Sequence, residues 1–188
     1  MVDGAATGGV LPQRFLEAAQ AHSWRALPPV ERWNPPYCGE IDMRIARDGR
    51  WFYMGTPIGR PALVRLFSTI LRKDGDQHVL VTPVERVGIA VEDAPFLAVE
   101  MEASGESLVF RTNLDDVVVA GPEHPIRFAL GEGGGLKPYV RVRGDLWALA
   151  TRALAQDLLA QMKEDADGRL GLSSNGAFFV LPEGLPDA

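Results

Sequence analysis

Apolar residues recur along this chain at two spacings, every second residue and every third or fourth, and each change of spacing marks an element boundary. The runs flanking Asp48-Gly49 alternate, and that pair tolerates the positive φ of a type I′ turn, so a hairpin with a two-residue loop is expected. Such a loop sets Ile45 opposite Phe52 and Met43 opposite Met54 on a core face. It sets Arg44 opposite Tyr53, Ala46 opposite Trp51 and Asp42 opposite Gly55 on the other. After a turn cluster at 55–59, Pro61 suits the first position of a helix running to about Lys73. Its stripe is Leu63, Leu66, Phe67, Ile70 and Leu71, with Arg72 and Lys73 in its last turn and Gly75 as its stop.

The same pattern organises the rest. Pro12 to Ala21 reads as a short helix, followed by His22, Trp24, Trp33 and a Pro-rich connector, LPPVERWNPPYCG, which excludes regular structure. HVLVTPVERVGIAV reads as a strand pair turning at Thr82-Pro83, with Val87, Ile89 and Val91 inward. FLAVEMEASGESLVFRTN reads as a hairpin on Ser104-Gly105 with Met101 opposite Leu108 and Val99 opposite Phe110, continued by LDDVVVAG. Residues 121–138 are loop-rich, and PYVRVRG then alternates, with Val140 and Val142 inward and Tyr139, Arg141 and Arg143 outward. Asp145 can cap a long helix from Leu146 to about Glu164, with Leu146, Leu149, Ala150, Ala153, Leu154, Leu158 and Met162 as its stripe. RLGLSSNGAFFVL closes the chain as a hairpin on Asn175-Gly176, with Leu172 opposite Phe179 and Leu170 opposite Leu181. The order is hairpin, helix, strand pair, then strands, helix, hairpin; identity between the halves is too weak to show a duplication.

Composition narrows the class. With 188 residues, 46% hydrophobic and 23% charged, the chain can bury a proper core without staples. Cys38 is the single cysteine, which excludes an intrachain disulfide and a cysteine zinc site built within one chain. There is no apolar run of membrane-spanning length and no signal-like start, so a cytoplasmic protein is expected. The net charge is -6, yet residues 43–73 carry Arg44, Arg47, Arg50, Arg60, Arg65, Arg72 and Lys73 against Asp48 alone, a local +6. An acidic second half makes duplex nucleic acid a poor partner. A small anion fits better, unless the basic centre docks on the acidic half.

Candidate chemistry follows from that contrast. Arg44, Trp51 and Tyr53 on one strand face, Arg60 at a helix start and Tyr139, Arg141 and Arg143 on a second strand form two arginine–aromatic sets suited to a flat anionic ligand. Against this, Arg44 can pair with Asp42 or a later carboxylate, and Arg60 with a nearby acid. Gly131 to Gly135 fails as a phosphate loop because Lys137 precedes Pro138. Asp115-Asp116 lacks the ligand set of a hard cation, and no cofactor motif is present. A catalytic reading makes Cys38 a nucleophile with His22, His78 or His124 as base, but no motif surrounds any of them. A third reading is an adaptor that binds a protein partner through a sheet edge or the connector.

The stretches PPYCGEIDMRI, DGRWFYMGTPIGR and LVRLFSTIL, with TNLDD, KPYVRVRGDLWAL and SSNGAFFVL, resemble the bacterial domain-of-unknown-function family 1285 over nearly the whole chain. The resemblance implies an α+β, β-rich fold: a tail and connector over 1–37, then two related sheet-plus-helix halves over 38–94 and 95–188, packed together. It makes the C-terminal half pleckstrin-homology-like. It further implies a nucleotide-like ligand in a crevice between the halves and a signalling role, with no catalytic residues. Trp51, Tyr53 and Arg60 match its first motif, and Tyr139 and Arg143 its second.

Overall fold

The structure, a computed structural model, describes residues 27–182, so the expected helix at 12–21 and His22 and Trp24 lie outside the described residues. The chain divides into two compact units, Met1–Glu92 and Asp93–Ala188. Each is built on a six-stranded sheet, and the described residues contain two α-helices.

In the first unit a 3₁₀ turn at Val30–Arg32 precedes β1 (Tyr37–Ile45), β2 (Trp51–Tyr53), β3 (Thr56–Pro57), α1 (Pro61–Thr69), β4 (Leu71–Asp74), β5 (Gln77–Val81) and β6 (Arg86–Val91). The strand order is β3-β2-β1-β6-β5-β4: two antiparallel meanders joined by the parallel pair β1–β6. The first hairpin forms, but its register differs from the two-residue expectation. Ala46 N–H donates to Arg50 C=O at 2.9 Å and Gly49, at φ 79°, donates to Ala46 C=O at 2.9 Å, so the loop has three residues with glycine in the left-handed region. Met43 therefore faces Tyr53, Arg44 faces Phe52 and Ile45 faces Trp51. A one-residue slip exchanges the two faces. The cause is the indole: Trp51 is 2% exposed and stacks on Phe67 with centroids 6.4 Å apart. Burying roughly 200 Å² of tryptophan is worth about 5 kcal/mol, which the expected register would forfeit.

The helix also ends earlier than expected, at Thr69, and the chain passes at once into β4. Thr69 and Ile70 are β-branched and hold a helix weakly. The larger reason is Arg72, buried at 7% exposure. From the strand its guanidinium donates Nε to Asp74 Oδ1 (2.6 Å), Nη2 to Asp74 Oδ2 (2.8 Å), and Nη1 to the carbonyls of Val30 (2.6 Å) and Trp33 (2.7 Å). The arginine expected in the last turn of the helix instead fastens the Pro-rich connector to the sheet. Gly75, at φ 59°, turns the β4–β5 hairpin. The Thr82-Pro83 turn is as expected, with Val87 and Ile89 buried.

The second unit runs β7 (Phe96–Ser104), β8 (Ser107–Thr112), β9 (Val117–Val119), β10 (Ile126–Leu130), β11 (Leu136–Arg143), β12 (Leu146–Ala150), α2 (Arg152–Ala160), β13 (Lys163–Glu164), β14 (Leu170–Ser174) and β15 (Ala177–Val180). The sheet order β10-β11-β12-β7-β8-β9 has the connectivity of the first sheet, including a central parallel pair, β12–β7. In the β7–β8 hairpin Met101 faces Phe110 and Ala103 faces Leu108, two residues away from the expected partners but with the same faces. The loop-rich reading of 121–138 is corrected: β10 and β11 pair through it, and the glycine run is their turn, closed by Gly131 N–H to Gly135 C=O at 2.7 Å.

The long helix from Leu146 is likewise corrected. Residues 146–150 form β12 because Leu146, Ala148 and Ala150 alternate into the core, paired to β11 through the Gly144-Asp145 loop. Only then does α2 begin, capped by Thr151, whose hydroxyl accepts Leu154 N–H. Leu154 and Leu158 pack on the sheet with Phe96, Phe110 and Val140 in the unit's core. The last hairpin has the expected register, with Asn175 at φ 46°, Gly176 at φ 75° and Leu172 facing Phe179. Buried Ser174 ties its sheet, β13-β14-β15, to the larger one, donating to Ala120 C=O (2.7 Å) and accepting Leu108 N–H (2.8 Å).

Candidate functional site

Directly paired residues share a sheet face, so the registers of β10, β11 and β12 put Arg127, Tyr139 and Leu149 in one row and Arg141 with Trp147 in the next. The opposite face carries Ile126, Val140 and Ala148 in the core. On the outward face the Arg127 guanidinium carbon lies 4.3 Å from the Trp147 ring centroid and 5.0 Å from that of Tyr139, a cation–π contact to both. Arg127 is exposed and meets no carboxylate among the described residues. Arg141 is half-buried, its Nε donating to the Glu123 carbonyl at 3.1 Å, and His124 Nδ1–H donates to the Arg141 carbonyl at 2.9 Å. Trp147 Nε1 donates to Asp145 at 2.8 Å, which orients its ring.

Tyr139 is fixed from below. Its hydroxyl donates to Asp93 Oδ1 at 2.7 Å, and Lys137 donates to Asp93 Oδ2. Burial pushes the phenol above its usual range, and the Asp93 hydrogen bond holds the Lys137 ammonium above its own. Arg143 leaves the row because the β11–β12 register shifts after Arg141. It pairs with Asp116 at 2.6 Å and lies 4.9 Å from the Phe96 ring centroid.

The first unit's predicted residues are dispersed. Trp51 is core, Tyr53 is half-buried on the same side, and Arg44 lies 4.4 Å over the outward Phe52 ring while pairing with Glu92. Glu92 also accepts Arg47 N–H at 3.0 Å; that bond first, then Arg44, holds its carboxyl below the ordinary range. Arg50 pairs with Asp48, and Arg72 and Arg86 share Asp74, so much of the basic stretch is neutralised by carboxylates of its own unit. Arg60 stands exposed immediately before α1, with no side-chain cap. The exposed Cys38 has the Pro36 carbonyl, 3.7 Å away, as its polar contact, and among the described residues, which do not include His22, no base or acid is hydrogen-bonded to it. Among the described residues no group of three or more His, Cys, Asp or Glu is placed to hold a metal, and no helix is long and apolar enough to cross a membrane.

Of the residues expected from sequence, Tyr139 and Arg141 thus share a face with two others, Arg127 and Trp147, that the sequence reading passed over. Arg127 is the single polar residue in IRFAL and LWALA is apolar throughout, so neither segment carries the polar–apolar alternation that marks a shared strand face.

Comparison with known proteins gives two family profiles in tandem. The profile described as "Domain of unknown function (DUF1285), N-terminal domain" matches residues 28–94, and that described as "Protein of unknown function (DUF1285), C-terminal domain" matches residues 95–181. A crystal structure of a DUF1285 family protein from Silicibacter pomeroyi DSS-3 is 50% identical, with a TM-score of 0.82 over 89% of this chain and 93% of that one. A DUF1285 family protein from Shewanella baltica OS155 is 29% identical, with a TM-score of 0.52 over 64% of this chain and 91% of that one. No curated protein matches the chain.

Proposed function

The chain belongs to the DUF1285 family, and from that premise we propose that it is a non-enzymatic binding module for a small anionic, nucleotide-like molecule, acting in signalling. One observation carries the reading: on the outward face of β10–β12, Arg127 is stacked over Trp147 and Tyr139 without a carboxylate partner among the described residues, beside Arg141. A guanidinium lying over aromatic rings still presents N–H donors to a phosphate oxygen and a plane on which a base can stack. Within the second unit Arg143 would have to exchange Asp116 for ligand; in the first unit Arg60, exposed at the start of α1, is a separate place for an anion, and Arg44 would have to give up Glu92 to serve one. Trp51, buried in the first unit's core, has no face to offer a ligand, and Tyr53 lies half-buried on the same side. The helix following the last strand of the second six-stranded sheet supports a pleckstrin-homology-like description of that unit.

The test is a thermal-shift screen at low salt against nucleotides, cyclic nucleotides, phosphosugars and carboxylates. Ligand at about 100 times its dissociation constant adds roughly 2.7 kcal/mol, and at about 2–4 °C per kcal/mol the midpoint should rise by roughly 5–11 °C. Arg127→Ala and Arg141→Ala should each abolish most of that rise; a ligand whose shift survives both replacements removes the assignment. The adaptor reading has one observation in its favour, the edge strand β9, whose Val117 and Val119 are 62% and 40% exposed. A screen with no response would promote it.

A further inference from the structure

A groove of about 370 Å³ lies in the second unit where β11 begins and β12 ends, against the first turns of α2. Neither Arg127, Arg141 nor Trp147 lines it. Its larger apolar lining residues are Leu136, Leu149, Ala155 and Leu159, and its polar ones Lys137, Arg152 and Gln156. The three leucines are half-exposed, so the groove leaves apolar surface in contact with water. All its charged lining is cationic. Lys137 is held by Asp93, which is not part of the lining, while Arg152 is exposed and makes no ion pair among the described residues.

An apolar lining with a cationic side chain complements one kind of small molecule. A nucleotide would set its ribose and phosphates against leucine, and a neutral hydrocarbon would leave the arginine unused; an acid with a hydrocarbon tail satisfies both parts. The volume lies in the ordinary range for small-molecule sites, about 300–1,000 Å³. We propose that this groove binds a small amphipathic carboxylate, a medium-chain alkanoate or arylalkanoate, with its carboxylate on Arg152 and its chain along Leu136, Leu149 and Leu159. Arginine suits the head group because its planar fork meets a carboxylate bidentately. Lys137 is already neutralised by Asp93, so Arg152 is the charged contact and Gln156 adds a donor.

The proposal makes two separable demands that titration of the full-length protein can read. Hexanoate, octanoate and decanoate are titrated below their micelle concentrations, alongside the corresponding alcohols, by calorimetry. Each buried methylene should tighten binding about fourfold until the apolar lining is covered. Each acid should bind at least tenfold more tightly than its alcohol, and Arg152→Ala should erase that preference while leaving the unliganded melting midpoint unchanged. Leu159→Asn should flatten the chain-length dependence and keep the preference for acid over alcohol. Alcohols binding as tightly as acids, affinity independent of chain length, an Arg152→Ala protein that still prefers the acids, or no binding by any acid would each overturn the proposal. Nucleotide binding at the Arg127 face should survive Leu159→Asn, so failure at one site is distinguishable from failure at the other.

Discussion

Arg72 and Asp74 show how much a single pair can decide. Arg72 is enclosed, its side chain 9% exposed, and its donors hold both the Asp74 carboxylate and the carbonyls of Val30 and Trp33. Hydrogen bonds from Arg72 hold the Asp74 carboxyl below the ordinary carboxylate range. Asp74→Asn leaves the enclosed guanidinium without its counter-ion and should cost about 2–3 kcal/mol at neutral pH by urea denaturation. The pH dependence has a definite sign. A carboxyl whose folded value is depressed contributes stability that is complete above its unfolded value, about 3.9, and is lost as pH falls through the folded value. The wild-type protein should therefore lose this contribution below about pH 4, while Asp74→Asn should lack it throughout and show a flatter acid limb. Equal acid limbs would show that another carboxylate governs the loss. Arg44→Ala provides the contrast: its pair with Glu92 is exposed and screened by solvent, so the replacement should leave the urea midpoint almost unchanged.

At the scale of elements, the two hairpins with Asx-Gly turns explain what could be read in the sequence and what could not. Asn175-Gly176 forms the expected two-residue turn, and Leu172 meets Phe179 as the alternation requires. Asp48-Gly49 carries the same local preference, yet its loop has three residues, because a single left-handed glycine also closes that loop. Local propensity leaves both registers open; tertiary burial of Trp51 chooses between them. Trp51→Ala should therefore cost roughly 3–5 kcal/mol, while Phe52→Ala, on the half-exposed face between Arg44 and Arg50, should cost about 1 kcal/mol. The two-residue register requires the reverse order, so equilibrium denaturation of the two variants decides it. The segment from Leu146 was ambiguous for a related reason. Leu146, Leu149 and Ala150 fit a helical stripe and Leu146, Ala148 and Ala150 fit a strand, and alanine serves either. The site depends on the same two segments: a loop at 121–138 and a helix from 146 give Arg127 and Trp147 no common face, although Tyr139 and Arg141 between them are legible.

For the whole molecule, the two six-stranded sheets repeat one connectivity, each with a parallel pair at its centre, and differ in where the helix is placed. In the first unit α1 lies between the third and fourth strands; in the second, α2 follows the sixth. The second unit therefore completes its sheet before its helix, and Leu154 and Leu158 cover a face already formed by Phe96, Phe110 and Val140. Its carboxylates also serve its own cations: Asp93 holds Lys137, Asp116 holds Arg143, and Glu100 and Asp115 hold Arg111. A unit with its own core, own sheet closure and own ion pairs meets the physical requirements of an independent domain. A chain of this length buries about 60–65% of its unfolded surface, enough for modest stability without disulfides. A fragment of residues 93–182 should therefore give a dispersed amide spectrum and a single cooperative melt, and it should retain the groove between Leu149 and Arg152. A collapsed but undispersed spectrum would mean that the two sheets, despite their matching connectivity, form one folding unit, and that a mutation in either core must be assessed on the stability of both.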